Sequence, residues 1–519
     1  MKLSSRVDVK VLLSLSLVLL VGLALRLWLL AGPQTELEAD EAVVGLMGRH
    51  ILQGERPVFY YMQPYLGSLE AYLVAGSFAV LGSSTFALKL VPLLCTLLFI
   101  GLVFATGYRI GGLAAAVVPS LYLAVPPAFF ALWSLKARGG YIETLVLGQT
   151  LLLMAMKVRK TGRVGPGMSA AMGFLGGLGL WLNPLIGVYL VPVALHLLLA
   201  LRHRLFGLGL LAALAGAIVG AFPLIQYNLT HGLATADAMF GGKAEMAEAP
   251  DYLYRFFRYS LPILAGLAQA SSSTKFFWSA FSESPAASGL VARATAGAFL
   301  LLFLFQSRRL LALVRGKPEG ADGRALLALL LVAAPTAFVL TRFRELVTEP
   351  RYLLPLYSAA PLLSTILVAG GPVRRRLLPL IVVALLALNV YSLASLDPRL
   401  NLPDTALGSV ASNRRQLADF LLSQGLDRIY TDYWIAYPLA FETGERVVPS
   451  VISNGFNRYY PYSNLVSTAR DPAFVFVAGS KEENDFLARL AERQVEARRD
   501  EVSIYSVYSR VTPLDRIRP

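Results

Sequence analysis

Apolar runs of about 20 residues recur from Val11 to Ser395, separated by short polar, basic or glycine-containing stretches. At about 1.5 Å of rise per helical residue such a run matches a hydrocarbon core roughly 30 Å thick. Helices satisfy their own backbone polar groups there, so helical crossings are expected. The pattern predicts about eleven: Val11–Ala31, Phe86–Tyr108, Leu113–Trp133, Tyr141–Met156, Gly167–Leu182, Leu185–Leu201, Leu205–Gln226, Leu290–Phe305, Ala325–Leu340, Tyr352–Gly370 and Leu377–Ser395. From about Leu400 the pattern changes to mixed polar sequence. There DRIY, RVVP and FVFV read as strands, while Arg414–Ser423 and Lys481–Arg493 read as helices. The expected fold is therefore mostly α, a polytopic helical membrane domain over residues 1–396, followed by a periplasmic α/β domain over residues 397–519. The second part is long enough to bury its own core.

Composition agrees: 56% of the residues are hydrophobic and 15% charged, which does not suit a soluble globule. The single cysteine, Cys95, lies in an apolar run, so there is neither a disulfide framework nor a thiol ligand set. A formal charge of +14 invites a nucleic-acid reading, but its distribution argues against nucleic acid as a partner. The cations cluster between spans: Lys2, Arg6 and Lys10; Arg109; Lys157, Arg159, Lys160 and Arg163; Arg202 and Arg204; Arg308 to Arg324; and Arg374 to Arg376. The positive-inside rule puts all of them in the cytoplasm. That holds if the short apolar segment Ala71–Gly82, about 18 Å as a helix, does not cross. The first span is then a retained anchor with a cytoplasmic N-terminus. The C-terminal domain is sent to the outer face of a plasma, or inner, membrane.

This topology gathers carboxylates outside. Glu36, Glu38, Asp40, Glu41, Glu55 and Glu70 fall in the first outer loop, and Glu143 opens a span at the outer surface. Such a cluster is either a solvated loop or a site. Arg26, near the end of the first span, either snorkels outward or meets an anion. Arg351 in TEPRYLLPLY, next to Tyr352, and Arg138 in LKARGGY stand at similar depth at the outer mouth. Their planar forks suit phosphate oxygens, and headgroup anchoring accounts for each taken singly.

The run EADEAVVGLMGRHILQGERPVFYYMQPYLGSLEAYLVAGSFAVLGSSTFALKLVPLL resembles the first outer loop of membrane glycosyltransferases of the GT-C type. It is most similar to bacterial relatives of protein O-mannosyltransferases and of the lipid A aminoarabinose transferase. Asp40-Glu41, Gln63-Pro64-Tyr65 and Phe86-Ala87-Leu88-Lys89 fill the places of the family's Asp-Glu pair, its Pro-containing aromatic motif and the start of the next span. KARGGYIE and PRYLLPLY extend the likeness over about three quarters of the chain. Two departures stand out: Arg138-Gly139-Gly140-Tyr141-Ile142 precedes Glu143 where the family often has its second acid, and Gln63 replaces the lysine of a Lys-Pro-Pro motif.

The resemblance implies transfer of a sugar from a polyprenyl-phosphate donor to an envelope acceptor. Asp40 would be the base for the acceptor hydroxyl, with Glu41 orienting the loop or binding a sugar hydroxyl. Arg351 and Arg138 would hold the phosphate as charge develops on it, and a single displacement would invert the anomeric centre. Glu143, Arg26, Gln63, Tyr61 and Tyr352 complete the expected substrate contacts. Tyr61 stacks on a sugar or belongs to an aromatic belt.

The residues name no certain cofactor and leave a divalent metal open. Glu143 with Asp40 offers oxygen ligands to a divalent cation, whereas His50, His196, His203 and His231 show no ligand spacing. Glycine pairs such as Gly176-Gly177 suit close helix packing. Between Tyr227 and Ser288 an amphipathic helix is expected on the bilayer, with Arg255 and Arg258 toward headgroups and Tyr254, Phe256, Phe257 and Tyr259 toward lipid or substrate. In the C-terminal domain Asp432 and Trp434 could meet a glycan or fill an α/β core. The alternatives are a lipid or glycan transporter, which internal repeats would favour, and a non-catalytic glycan-binding relative.

Overall fold

The structure is a computed structural model that describes residues 8–32, 35–161, 165–201, 207–240, 248–268, 285–316, 322–394, 411–452 and 457–518. Lys2, Arg6, Arg163, Arg202, Arg204, Lys317, the SSSTKFFWS segment and the expected 396/397 boundary lie outside the described residues. The helices, in chain order, are α1 (Val9–Ala31), α2 (Ala39–Leu52), α3 (Leu69–Leu81), α4 (Thr85–Ala124), α5 (Ala128–Trp133), α6 (Tyr141–Thr161), α7 (Pro166–Leu182), α8 (Gly187–Leu201), α9 (Leu208–Gly220), α10 (Phe222–His231), α11 (Ala234–Phe240), α12 (Ala249–Arg255), α13 (Leu261–Leu264), α14 (Pro285–Val314), α15 (Gly323–Leu340), α16 (Ala360–Ala369) and α17 (Pro372–Ala394). There follow α18 (Ala411–Ser423), β1 (Arg428–Thr431), α19 (Tyr433–Glu442), β2 (Val448–Val451), α20 (Tyr460–Ser467), β3 (Ala473–Val477), α21 (Lys481–Glu492), β4 (Glu496–Val502) and β5 (Tyr505–Thr512).

The chain divides into two compact units. One comprises residues 1–34, 65–67 and 90–397; the other comprises residues 35–64, 68–89 and 398–519. Residues 35–64 and 68–89, with α2 and α3, thus belong to the same unit as the C-terminal sheet.

The first unit is built of apolar helices. Among the described residues eight helices are long and apolar enough to cross a membrane, or nine if the bent pair α9–α10 forms one span. Three expected spans differ in form. Helix α4 runs 40 residues but breaks at Gly112, whose φ of 75° lies in the region that favours glycine. The chain folds back there, and a Cβ on Gly107 would lie 1.9 Å from the Ala115 carbonyl oxygen. The expected span Leu113–Trp133 stops at Ala124 because Pro126 and Pro127 interrupt it, and resumes as the short α5. The span expected over Leu205–Gln226 bends by 65° between α9 and α10. Helix α7, at 17 residues, is shorter than those eight. It packs on α9 through Gly173, Gly177, Gly216 and Gly220. A Cβ on any of these would come within 2.2 Å of a facing carbonyl oxygen, so small residues set this helix contact.

The segment expected to lie on the bilayer is instead partly core. Phe256 is fully buried, Phe257 and Tyr259 pack against the apolar cluster, and Arg258 donates to the Ser288 hydroxyl at 2.8 Å. Tyr254 is exposed and Arg255 pairs with Asp251 one turn earlier. Packing area won over surface amphipathicity.

The second unit carries a five-stranded sheet in the order β2-β1-β3-β5-β4, parallel among β2, β1 and β3 and antiparallel beyond. The three expected strands correspond to β1, β2 and β3, and the two expected helices to α18 and α21. Their core comprises Leu417, Leu421, Ile429, Ile435, Leu439, Val475 and Val507. Asp432, read as either a glycan contact or part of the α/β core, caps α19 by accepting from the Trp434 backbone N–H at 2.8 Å.

Candidate active site

Asp40 owes its place to the start of α2. Glu38 and Glu41 form a capping box, in which the Glu38 backbone N–H donates to Glu41 at 3.4 Å. Asp40, in the same first turn, sits where carboxylates are favoured by the helix dipole. The other Glu41 oxygen meets Lys89 Nζ at 2.5 Å, both side chains being at most 2% exposed. Glu41 is therefore tied into the frame that orients Asp40. Gly45 lets α2 approach α19, since a Cβ there would lie 2.5 Å from the Phe441 ring.

Around Asp40 gather residues distant in sequence. The Tyr433 hydroxyl, opening α19, donates to Asp40 Oδ1. The Tyr60 hydroxyl stands 3.2 Å from both Oδ1 and the Asp40 carbonyl oxygen. Arg458 places a terminal nitrogen 3.8 Å from Oδ1, its guanidinium lying 5.5 and 5.6 Å from the Tyr60 and Tyr433 ring centres. Gln63, with its amide oxygen turned to the guanidinium, accepts both terminal nitrogens of Arg458 at 3.0 and 2.9 Å. Burial, reinforced by Asp40 and, at Tyr60, by the Tyr433 phenol, raises the Tyr60 and Tyr433 hydroxyls well above the ordinary tyrosine value, so both remain neutral donors. Burial alone would lower the Arg458 pKa, but Tyr60, Tyr433 and Asp40 outweigh it and hold the cation above its usual range.

A second network in this unit holds the other end of α2. Tyr61 donates to Glu55 at 2.6 Å, stacks on Tyr459 at 4.9 Å and meets His50 Nδ1 at 2.9 Å. His50 Nε2 is 3.1 Å from Glu445. Tyr61 is thus engaged by protein rings and carboxylates. Burial would raise the Glu445 carboxyl, but His50 and Arg49 prevail and hold it below its ordinary value of 4.5.

The first unit brings together Arg138, Arg351 and Tyr352. Both guanidiniums approach Glu349, at 3.8 and 3.5 Å, and both lie 5.7 Å from the Trp133 ring centre. Tyr141 and Tyr352 wall Arg351 on its other sides. Arg138 precedes Gly139 and Gly140, with φ of 78° and 71°. At Gly140 a Cβ would also strike Leu182 at 2.4 Å, and Asn183 donates to the Gly139 carbonyl at 2.9 Å. A cavity of about 410 Å³ has Tyr352, Phe343, Tyr65, Asn183 and Thr341 in its wall. Another, of about 450 Å³, is almost wholly apolar and bordered by Tyr122, Leu264, Phe299, Tyr357 and Leu388.

The other two expected residues of this unit are buried among the helices. Glu143 lies in the first turn of α6. Arg26, fully buried, donates to the carbonyls of Gly22, Leu123 and Ala124 at 3.2, 2.9 and 2.8 Å, closing the end of α4. Among the described residues no group of three or more His, Cys, Asp or Glu could hold a metal ion. The sequence gives neither Tyr433 nor Arg458 a role, because nothing local reveals that they meet Asp40.

This is a multi-pass helical membrane protein with a small α/β sheet unit. Its fold is that of ArnT: it resembles the crystal structure of ArnT from Cupriavidus metallidurans bound to undecaprenyl phosphate with a TM-score of 0.61 at 13% identity, over 99% of this chain and 100% of that one. The apo structure of the same protein gives 0.60 at 13% identity, over 98% and 99%. The chain matches no family model. It matches no curated protein by sequence.

Proposed function

We propose that the chain is a membrane glycosyltransferase that moves a sugar from a polyprenyl-phosphate donor to a hydroxyl of an envelope acceptor, on the outer face of the inner membrane. One observation carries the reading. A carboxylate gathered with a guanidinium and two neutral phenols stands on a chain that shares its fold, end to end, with a protein crystallised with undecaprenyl phosphate.

In the proposed step the acceptor oxygen attacks the anomeric carbon and its proton passes to Asp40. The bond to the phosphate oxygen breaks, and its electron pair leaves with the lipid phosphate. One displacement inverts the anomeric centre. Tyr433 and Tyr60 fix the carboxylate, which matters because small misplacements of a reacting group cost rate steeply. In the transmembrane unit Arg138 and Arg351 are the groups suited to the phosphate, their aromatic walls excluding water and strengthening charge-assisted bonds. The apolar cavity is of a kind that accepts isoprenoid.

The test is transfer in membranes from a panel of radiolabelled polyprenyl-phosphate sugars, hexosyl and pentosyl. The reading expects product from at least one donor, with inverted configuration. Membranes rich in the native chain that transfer from none would overturn it and favour a transporter or a binding protein.

A further inference from the structure

Helix α2, which carries Asp40 in its first turn, is pinned to α19 along its whole length. At the start the Tyr433 hydroxyl donates to Asp40 Oδ1, and in the middle Gly45 admits the Phe441 ring. In the last turn Arg49 donates to the Phe441 carbonyl oxygen at 2.7 Å, and His50 Nε2 stands 3.1 Å from Glu445, just past the end of α19. The contacts advance in the same sense along both helices. The pin at the end of α2 therefore helps to set how the carboxylate at its start meets the phenol. His50 is ten residues from Asp40, about 15 Å along the helix, and acts on it only through α2.

The His50 side chain is 3% exposed, and each of its ring nitrogens meets an oxygen. Glu445, held below its ordinary value, is a carboxylate that can only accept, so Nε2 donates to it. Nδ1 lies 2.9 Å from the Tyr61 hydroxyl. Burial, then the bond to Glu55, raises that hydroxyl above its ordinary value, so it keeps its one hydrogen and gives it to Glu55 at 2.6 Å. Toward Nδ1 it presents a lone pair, and Nδ1 must donate as well. A neutral imidazole has one N–H, so a ring with two donors is an imidazolium. The surroundings suit a cation. Glu55 is 3.9 Å from Nδ1, and the Tyr459 and Tyr462 rings stand 4.6 and 6.4 Å from the imidazole centre to centre. Arg49 shares Glu445 at 3.8 Å as the neighbouring like charge, so two cations meet two carboxylates.

We propose that His50, as an imidazolium, is a positioning residue for Asp40: it clamps the end of α2 to Glu445 and Tyr61, and loss of its proton opens the clamp and misplaces the base. The proposal rests on the glycosyltransferase reading and deepens it by naming how that site is regulated. When the proton leaves, one ring nitrogen becomes an acceptor facing an acceptor, and the contact with either Glu445 or Tyr61 turns repulsive. Small misplacements of a reacting group cost rate steeply. Imidazole is the side chain whose charge ordinarily changes between about pH 5 and 8. Across that range Tyr60 and Tyr433 stay neutral and Arg458 stays charged.

The experiment measures kcat and KM for sugar transfer in membranes from about pH 5 to 9. Three forms of the full chain are compared: native, His50→Lys and His50→Gln, with thermal midpoints as the folding control. The native kcat should fall by about tenfold or more toward the alkaline end, with KM little changed. His50→Lys, a cation throughout, should lose that fall. His50→Gln, neutral throughout, should be slow at every pH and equally without it.

A native profile that is flat on the alkaline side, with transfer present, overturns this proposal alone. So does an alkaline fall that persists in His50→Lys or His50→Gln. If both substitutions lower the midpoint, Glu445→Gln takes their place. Its amide can accept from the protonated ring or donate to the neutral one, so the alkaline fall must shrink there, and an unchanged fall overturns the proposal. Absence of transfer by the native chain at every pH overturns the glycosyltransferase reading and this proposal with it.

Discussion

Cations are held differently in the two units. In the transmembrane unit Arg138 and Arg351 approach one shared carboxylate, Glu349, between aromatic walls. In the other unit Arg458 faces a neutral amide and stands beside Asp40, which phenols also hold. Two guanidiniums around one carboxylate make a set that favours an added anion. A single guanidinium beside a carboxylate makes a set that can take up a proton and steady a leaving group. The difference teaches that arginine alone does not define a phosphate site; what the arginine already holds decides what it can exchange.

That contrast can be broken or sharpened by substitution. The largest expected effect is on stability. Lys89→Met leaves Glu41 buried without its 2.5 Å partner and should cost about 3–5 kcal/mol, read as a lower thermal midpoint. A midpoint unchanged by Lys89→Met would mean that the frame under Asp40 does not depend on the pair. Next, Arg351→Gln should reduce transfer by about 10²–10³-fold if the residue stabilises developing charge on phosphate. Arg351→Lys should recover part of that loss, since a lysine keeps the charge but not the fork. Transfer unaffected by Arg351→Gln would reduce the transmembrane pair to headgroup anchoring.

Tyr433→Phe removes one donor to Asp40 and should lower kcat by roughly tenfold with KM little changed. An effect confined to KM would place Tyr433 on the substrate instead. The smallest effect concerns pH. Glu445 is held below its ordinary value of 4.5, so its contribution is fully present above that pH and is lost as pH falls through the lower folded value. Glu445→Gln should therefore flatten the acid limb of stability by less than about 1 kcal/mol, because the group is partly solvated.

Much of the fold could be read in advance, because spans are written in long apolar runs and β1, β2 and β3 in short apolar ones. Strands β4 and β5 escaped notice. EARRDEV is charged at nearly every position, and YSVYSRVT alternates without a contiguous apolar block, so their pairing depends on the sheet rather than on local pattern. The bend at Gly112 reflects a glycine conformation, and the bend at Ala221 falls where a second helix starts with Pro223 in its first turn; hydropathy reports neither.

For the site, topology gathered Asp40 among the carboxylates of one loop and set Arg138 and Arg351 at one depth, and the structure brings the two arginines to one carboxylate, Glu349. Arg26 showed as a membrane arginine, but its use as a cap on α4 required knowing that Leu123 and Ala124 end a helix beside it. Tyr433 and Arg458 lie some 400 residues from Asp40 in sequence, and only tertiary folding brings them to it.

The most direct test of the central claim is sugar transfer in membranes by Asp40→Asn and the native chain at matched expression. The amide keeps the shape and can still meet the phenols, but it cannot take the acceptor proton. The account predicts that the native chain transfers and that Asp40→Asn loses about 10²–10⁴-fold in rate. Equal transfer by the two would contradict it.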